Sequence, residues 1–201
     1  RFCWVRDSAF TLHALSRLGY YDEAEAFIHF LMERVTETDP GGEDSGLQIM
    51  YAMDGANELP EVSLDHLAGY RGSRPVRVGN AAYKQRQMDI FGEFMDAVFI
   101  ATRARGKPAY AVWEKLRRLA DWLCGNWHLP DKGIWESRGE DREYLSSRLM
   151  CWVALDRAMR IAEAGSLPAD IARWREERDR IQRTIVEEFW NPELGAFTQF
   201  R

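Results

Sequence analysis

The chain has 201 residues, enough for one domain that buries roughly 70% of its unfolded surface. Its formal net charge of −5 argues against a general polyanion binder such as a nucleic-acid domain, and the mixed charges of WREERDRIQR read as a solvated helix face. Eight tryptophans must fill a core or form flat apolar platforms, and no run of about 18 apolar residues is available to span a membrane.

Cys3, Cys124 and Cys151 are far apart and odd in number, so neither a disulfide framework nor a metal-ligand pair is expected, and a reducing, cytoplasmic setting is favoured. The chain opens on Arg1 and stops after GAFTQFR, which reads as an internal piece of a longer protein.

Taken in order, a first helix is predicted from about Ser8 to Leu18, with Phe10, Ala14, Leu15 and Leu18 on one face. In the second, Ala24, Phe27, Ile28, Leu31, Met32 and Val35 follow the i, i+3, i+4, i+7 rule, and Asp22 with Glu25 suggests a capping box. From about residue 37 to 78 the period breaks into the turn-rich DPGGEDSG, MDGANELPE and GYRGSRP, with LQIMYAM as a short strand. A third helix is expected from near Gly79, carrying Met88, Phe91, Met95 and Phe99, and a fourth from Pro108 with Val112, Leu116, Leu119 and Leu123 inward. The fifth, YLSSRLMCWVALDRAMRIA, is apolar nearly all round and should be surrounded by other helices. The sixth starts at Pro168 and carries Ile171, Trp174, Ile181, Ile185 and Phe189. Successive helical hairpins with long loops at one end suggest an all-α fold of the α/α toroid kind, with functional groups in the loops at one mouth.

Three stretches could carry chemistry. In FCWVRDSAF, Asp7 could serve as a helix N-cap; alternatively Trp4 could stack on a sugar ring while Arg6 donates to, and Asp7 accepts from, neighbouring hydroxyls. In PVRVGNAAYKQRQMDIFGE, the residues Asn80, Gln85, Gln87 and Asp89 crowd polar groups into the start of an otherwise apolar helix, where a bound polyol would satisfy them. In GIWESRG, Glu136 stands between Trp135, which can shield it and raise its pKa, and Arg138, which would lower it. Locally a surface loop glutamate is the simpler reading, and one carboxylate cannot complete glycoside hydrolysis. His13, His29, His66 and His128 share no spacing, and there is no phosphate loop, G-x-S-x-G elbow or metal motif.

These segments together resemble the family 15 glycoside hydrolases, the glucoamylase and trehalase group. The likeness runs through WVRDSAFTLHALSRLGYYDEAEAFIHF, LQIMYAMDG, ELPEVSLDHLAGYRGSRPVRVGNAAYKQRQMDIFGE, GIWESRG and SSRLMCWVALDRAMRIA, the long central segment looking most like the bacterial trehalases. The resemblance implies an (α/α)6 barrel, a six-hairpin toroid, of which residues 1–201 would supply the first half. An N-terminal β-sandwich and the C-terminal half of the barrel would lie outside them. It also implies inverting hydrolysis of an α-glucosidic bond at a non-reducing glucose. By matched motif, Glu136 is the general acid, Arg6 and Asp7 hold the glucose, Trp4 and Trp135 wall its pocket, and Arg77, Asn80, Gln87, Asp89 and Arg138 line it.

Where fungal glucoamylases carry a tryptophan before the R-P segment, this chain has Gly72 and Ser73, which departs from the starch-degrading pattern. The family's general base is a late glutamate with no matching segment before Arg201, so the 201 residues alone are expected to be inactive. Trehalose is the expected substrate. Maltooligosaccharide hydrolysis by a glucoamylase and a non-catalytic carbohydrate-binding barrel are the alternatives. No metal or organic cofactor is called for, since two carboxylates suffice for acetal hydrolysis. The expected partner is a small α-glucoside, with no nucleic acid or membrane, and an open barrel edge would invite self-association.

Overall fold

The structure, a computed structural model, describes residues 2–35, 45–137 and 139–201. Strand β1 (Phe2–Trp4) pairs antiparallel with β2 (Met50–Ala52), which falls within the expected LQIMYAM strand. This pairing holds the chain extended up to Trp4, and helix α1 (Val5–Leu18) follows at once, the Val5 N–H donating to Ile49 O at 2.9 Å. The helix therefore begins three residues before the expected Ser8. Asp7 lies inside its first turn instead of capping it, and Trp4 takes the N-cap position.

The buried face of α1 also differs from the expected one. Val5, Ser8, Ala9, Leu12 and Ser16 are buried, whereas Phe10 and Leu18 are 63% and 73% exposed. Short side chains face the neighbouring helix because α1 packs closely on α3 (Asp89–Arg105). Helix α2 (Tyr21–Arg34) buries Ala24, Ile28, Leu31 and Met32 as its period predicts. The capping box is absent: no side chain caps the helix at Tyr20, and Asp22 pairs with Arg105 at the end of α3. The turn expected over residues 39–44 lies outside the described residues.

The pair β3 (Val62–Ser63) and β4 (Arg77–Val78) leads into a 3-10 turn over Ala81–Lys84. The expected third helix thus splits. Asn80 caps the 3-10 turn, accepting from Ala82 N at 3.0 Å, and the chain runs extended at Gln85 before α3 begins at Asp89. Helices α4 (Tyr110–Asn126), α5 (Leu145–Gly165) and α6 (Ile171–Glu188) follow, then the hairpin β5 (Trp190–Asn191) and β6 (Ala196–Phe197). Helix α4 starts two residues after Pro108. Helix α6 starts three after Pro168, because Asp170 caps it by accepting from Arg173 N at 3.2 Å.

The described residues form a two-layered helical array. Helix α3 packs between α1 and α5; α2 lies against α1 and α3, and α4 and α6 lie against α5 and each other. The enclosure expected for α5 is therefore present. It approaches α3 so closely that a Cβ on Gly92 would fall 2.2 Å from Met150 O. Much of the tryptophan content is core: Trp113, Trp122, Trp127 and Trp174 are buried, Trp113 edge-on to Trp174 at 6.1 Å and Trp122 stacked on Phe91 at 5.2 Å. The three cysteines are free and buried, and no helix among the described residues is long and apolar enough to cross a membrane.

Candidate active site

The N-terminal ends of α1, α3 and α5 converge. Arg6, in the first turn of α1, reaches α3: its Nε donates to Asp89 Oδ2 at 2.5 Å and its Nη2 to Asp89 Oδ1 at 3.1 Å, a two-pronged fork on a carboxylate with 1% side-chain exposure. The same Nη2 donates to Gln87 Oε1 at 2.5 Å, and Nη1 to Ile134 O at 3.2 Å. Burial alone would lower the pKa of Arg6, but the hydrogen bond and charge of Asp89, helped by Asp7 and Glu136, raise it. Four of the five guanidinium N–H groups are thus used within the chain, and the fifth is on Nη1.

Glu136 ends the turn Gly133–Glu136 with φ +53°, in the left-handed region. A residue other than glycine held there stores about 1–2 kcal/mol of strain, a cost that clusters at functional sites. A relay of amides supports this backbone. Gln87 Nε2 donates to Gln85 Oε1 at 3.2 Å, and Gln85 Nε2 faces the carbonyls of Glu136 and Ser137 at 3.4 Å. The half-buried carboxyl has a raised pKa, chiefly through burial, with Arg6 pulling it down and Asp7 pushing it up. The expected direction is present, Arg6 opposes it, and the Trp135 indole expected to shield the carboxyl is 76% exposed. Arg138 lies outside the described residues.

The other expected site residues are placed unevenly. Gln87 and Asp89 are buried beneath Arg6, Trp4 is half-buried beside it in sequence, and Asp7 is exposed but close enough to act on Glu136. Asn80 spends its side-chain oxygen on the 3-10 turn. Arg77 is exposed on β4 and pairs with Glu61 at 3.2 Å, away from the Arg6 cluster.

Two acidic residues escaped the sequence reading. Glu93, one helical turn after Asp89, has its pKa raised to about 7 by burial and by Asp89, against the pull of Arg6. Its i, i+4 spacing from Asp89 was the available signal. Asp131 is fully buried at the neck of the loop that carries Glu136. It accepts from Met88 N at 2.7 Å, Ser147 Oγ at 2.6 Å and Gly133 N at 3.2 Å. Burial raises its pKa, while the Met88 and Ser147 hydrogen bonds oppose that rise. Nothing in its local sequence announces this role, because Met88 is 43 residues away.

A carboxyl with raised proton affinity thus stands beside an arginine–carboxylate fork where the N-terminal ends of three helices meet. The fold is similar to that of a glycosidase solved in complex with glucose, which superposes with a TM-score of 0.69 at 19% identity, over 99% of this chain and 51% of that one. The chain belongs to the glycosyl hydrolases family 15, whose family model matches residues 1–200. Similar curated proteins include trehalases of Mycobacterium tuberculosis (39% identity over 99% of this chain), Mycolicibacterium smegmatis (40% over 92%) and Thermoplasma volcanium (34% over 100%). The chain spans 29%, 28% and 31% of their respective lengths.

Proposed function

We propose that the protein carrying this chain hydrolyses the α-glucosidic bond of trehalose with inversion. In this reading residues 1–201 form the general-acid side of an (α/α)6 barrel, with a β-sandwich domain and the remaining helices outside them. The observation that carries it is the placement of Glu136: strained, half-buried, with raised pKa, and tied through Gln85 and Ile134 to the fork of Arg6 on Asp89. The choice of trehalose draws on the trehalases among its relatives.

Glu136 gives its proton to the glycosidic oxygen as the bond to the anomeric carbon breaks. A water molecule attacks that carbon from the opposite face and loses its proton to a second carboxylate, which the reading assigns to a glutamate outside these residues. The remaining N–H of Arg6 and the carboxylate of Asp7 meet hydroxyls of the glucose. Trp4 and Trp135 stand at the rim as stacking surfaces, while Gln87 and Asp89 hold Arg6 in place. The wider pocket roles read for Asn80, Arg77 and Arg138 belong to the same proposal. Exposed Phe10 and Leu149 mark the edge that further helices or a second copy would cover.

Proton NMR of the first turnovers of the full-length protein tests the reading. β-Glucose appearing in equal amount with α-glucose from trehalose supports it. Preference for maltose moves the assignment to a glucoamylase, and no release from either by a folded protein leaves a non-catalytic carbohydrate-binding barrel.

A further inference from the structure

We propose that Asp131 is a positioning residue for the general acid, fixing the loop that carries Glu136 to the helix ends that carry the Arg6 clamp. This rests on the assignment of Glu136 above. The loop leaves and re-enters the fold at one point, where Asp131 and Arg142 exchange two backbone hydrogen bonds of 2.9 Å. At that neck Asp131 Oδ2 takes the backbone N–H of Met88, the residue that caps α3 immediately before Asp89, and the hydroxyl of Ser147 in the first turns of α5. Its Oδ1 takes the N–H of Gly133, the first residue of the turn that ends at Glu136. One carboxylate therefore joins the acid's turn to two helices, one of which holds the partner of Arg6.

Past the neck the loop has further ties: Lys132 N–H donates to Arg86 O at 3.0 Å, Arg6 reaches Ile134 O at 3.2 Å, and the Gln85 contacts to the carbonyls of Glu136 and Ser137 are 3.4 Å long. None of these joins the acid's turn to both α3 and α5, as Asp131 does. The turn starts tight against α5's cap, since Gly133 has φ +62° and a Cβ there would fall 3.0 Å from the Tyr144 ring. Asp131 is suited to the task by valence. An ionised carboxylate only accepts, and it meets three donors here. An asparagine of the same shape would turn an NH2 group toward a backbone N–H. If its oxygen stays with Met88 and Ser147, the conflict falls on Gly133, and the turn is released while α3 and α5 stay joined.

The test uses the full-length protein with trehalose and α-D-glucosyl fluoride. The sugar leaving group of trehalose needs a proton, whereas fluoride departs with little help. Asp131→Asn is expected to lower kcat on trehalose about 100-fold with KM changed less than about 3-fold, because a misplaced acid costs rate and not ground-state binding. Its loss on the fluoride should stay within about 5-fold, as general-acid assistance contributes little there. Ser147→Ala, which removes one of the three donors, should show the same bias at about 5-fold on trehalose.

Equal losses on both substrates, or no loss on trehalose, would overturn the inference. Should Asp131→Asn fail to fold, the ratio measured for Ser147→Ala decides in the same way. Glu136→Gln is run in parallel. If it shows the bias and the Asp131 and Ser147 variants do not, only this inference falls; if it lacks the bias, the acid assignment falls and takes this inference with it.

Discussion

Arg6 gives four hydrogen bonds to fixed partners on α3, the segment just before it and the acid's loop, and its acceptor Asp89 is fully buried. Glu136, which touches the same network, is held through its main chain, in a strained turn, next to a tryptophan that is largely in water. The difference separates two duties. The floor that would receive a glucose is over-determined, so it is preorganised before any ligand arrives. The carboxyl that would move a proton keeps a free side chain and an environment that raises its pKa. Removing a floor residue should therefore damage the fold, and removing the acid should damage only the rate.

The sharpest way to test that division is Glu136→Gln in the full-length protein. Loss of a general acid should cut kcat by about 10² to 10⁴-fold, while stability to urea shifts by less than about 0.5 kcal/mol, as for a surface substitution. A large stability loss would erase the distinction. Arg6→Ala should do the reverse. It strands Asp89 as an unpaired buried charge, which costs about 3–5 kcal/mol in chemical denaturation, and glucose binding is lost with the fold's local order. Arg6→Lys should recover only part of this, because an ammonium cannot fork onto Asp89 and Gln87 together.

The smallest effect belongs to Glu93, one turn after Asp89 on α3 and within the field of Arg6. Its folded pKa of about 7 lies above the ordinary value of 4.5, so the folded state holds its proton more tightly. The corresponding stability is complete below pH 4.5 and is lost as pH rises through 7. The charges that face it are Asp89 and Asp96 from α3 and Arg6 from α1. Glu93→Gln should match the parent protein near pH 4.5 and melt about 1–3 °C higher near pH 8.5, since an uncharged amide escapes the ionisation cost and partial exposure keeps the effect small. Equal melting temperatures at both pH values would show that Glu93 is solvated like an ordinary surface glutamate.

Helical periodicity was legible wherever neighbours were local. The buried positions of α2 and the enclosure of α5 followed from spacing alone. The start of α1 was not legible, because it depends on β1 pairing with a strand about 50 residues away. The break before α3 was hidden for a similar reason: Gln87 serves Arg6 from across the site instead of extending the helix. Of the candidate site, the residue types and motifs could be read, but their connections could not. In sequence Arg6 reads with Asp7 as a clamp on sugar hydroxyls, and its own fork on Asp89, 83 residues along the chain, cannot be seen. Asp131 could not be read at all, since its three donors come from three separate segments.

The close crossing at Gly92 gives the site a ruler. Gly92 lies between Asp89 and Glu93 on α3, and there the backbone of α3 meets the Met150 carbonyl of α5 with no side chain of its own in the gap. The gap between the anchor of Arg6 and the frame of α5 is thus measured by peptide planes, which hardly compress, and not by side chains, which can change rotamer. Residues around the mouth can vary to suit different sugars without altering that gap. A single methyl group at position 92 would have to widen it, moving α3 and α5 apart without changing the identity of any candidate site residue.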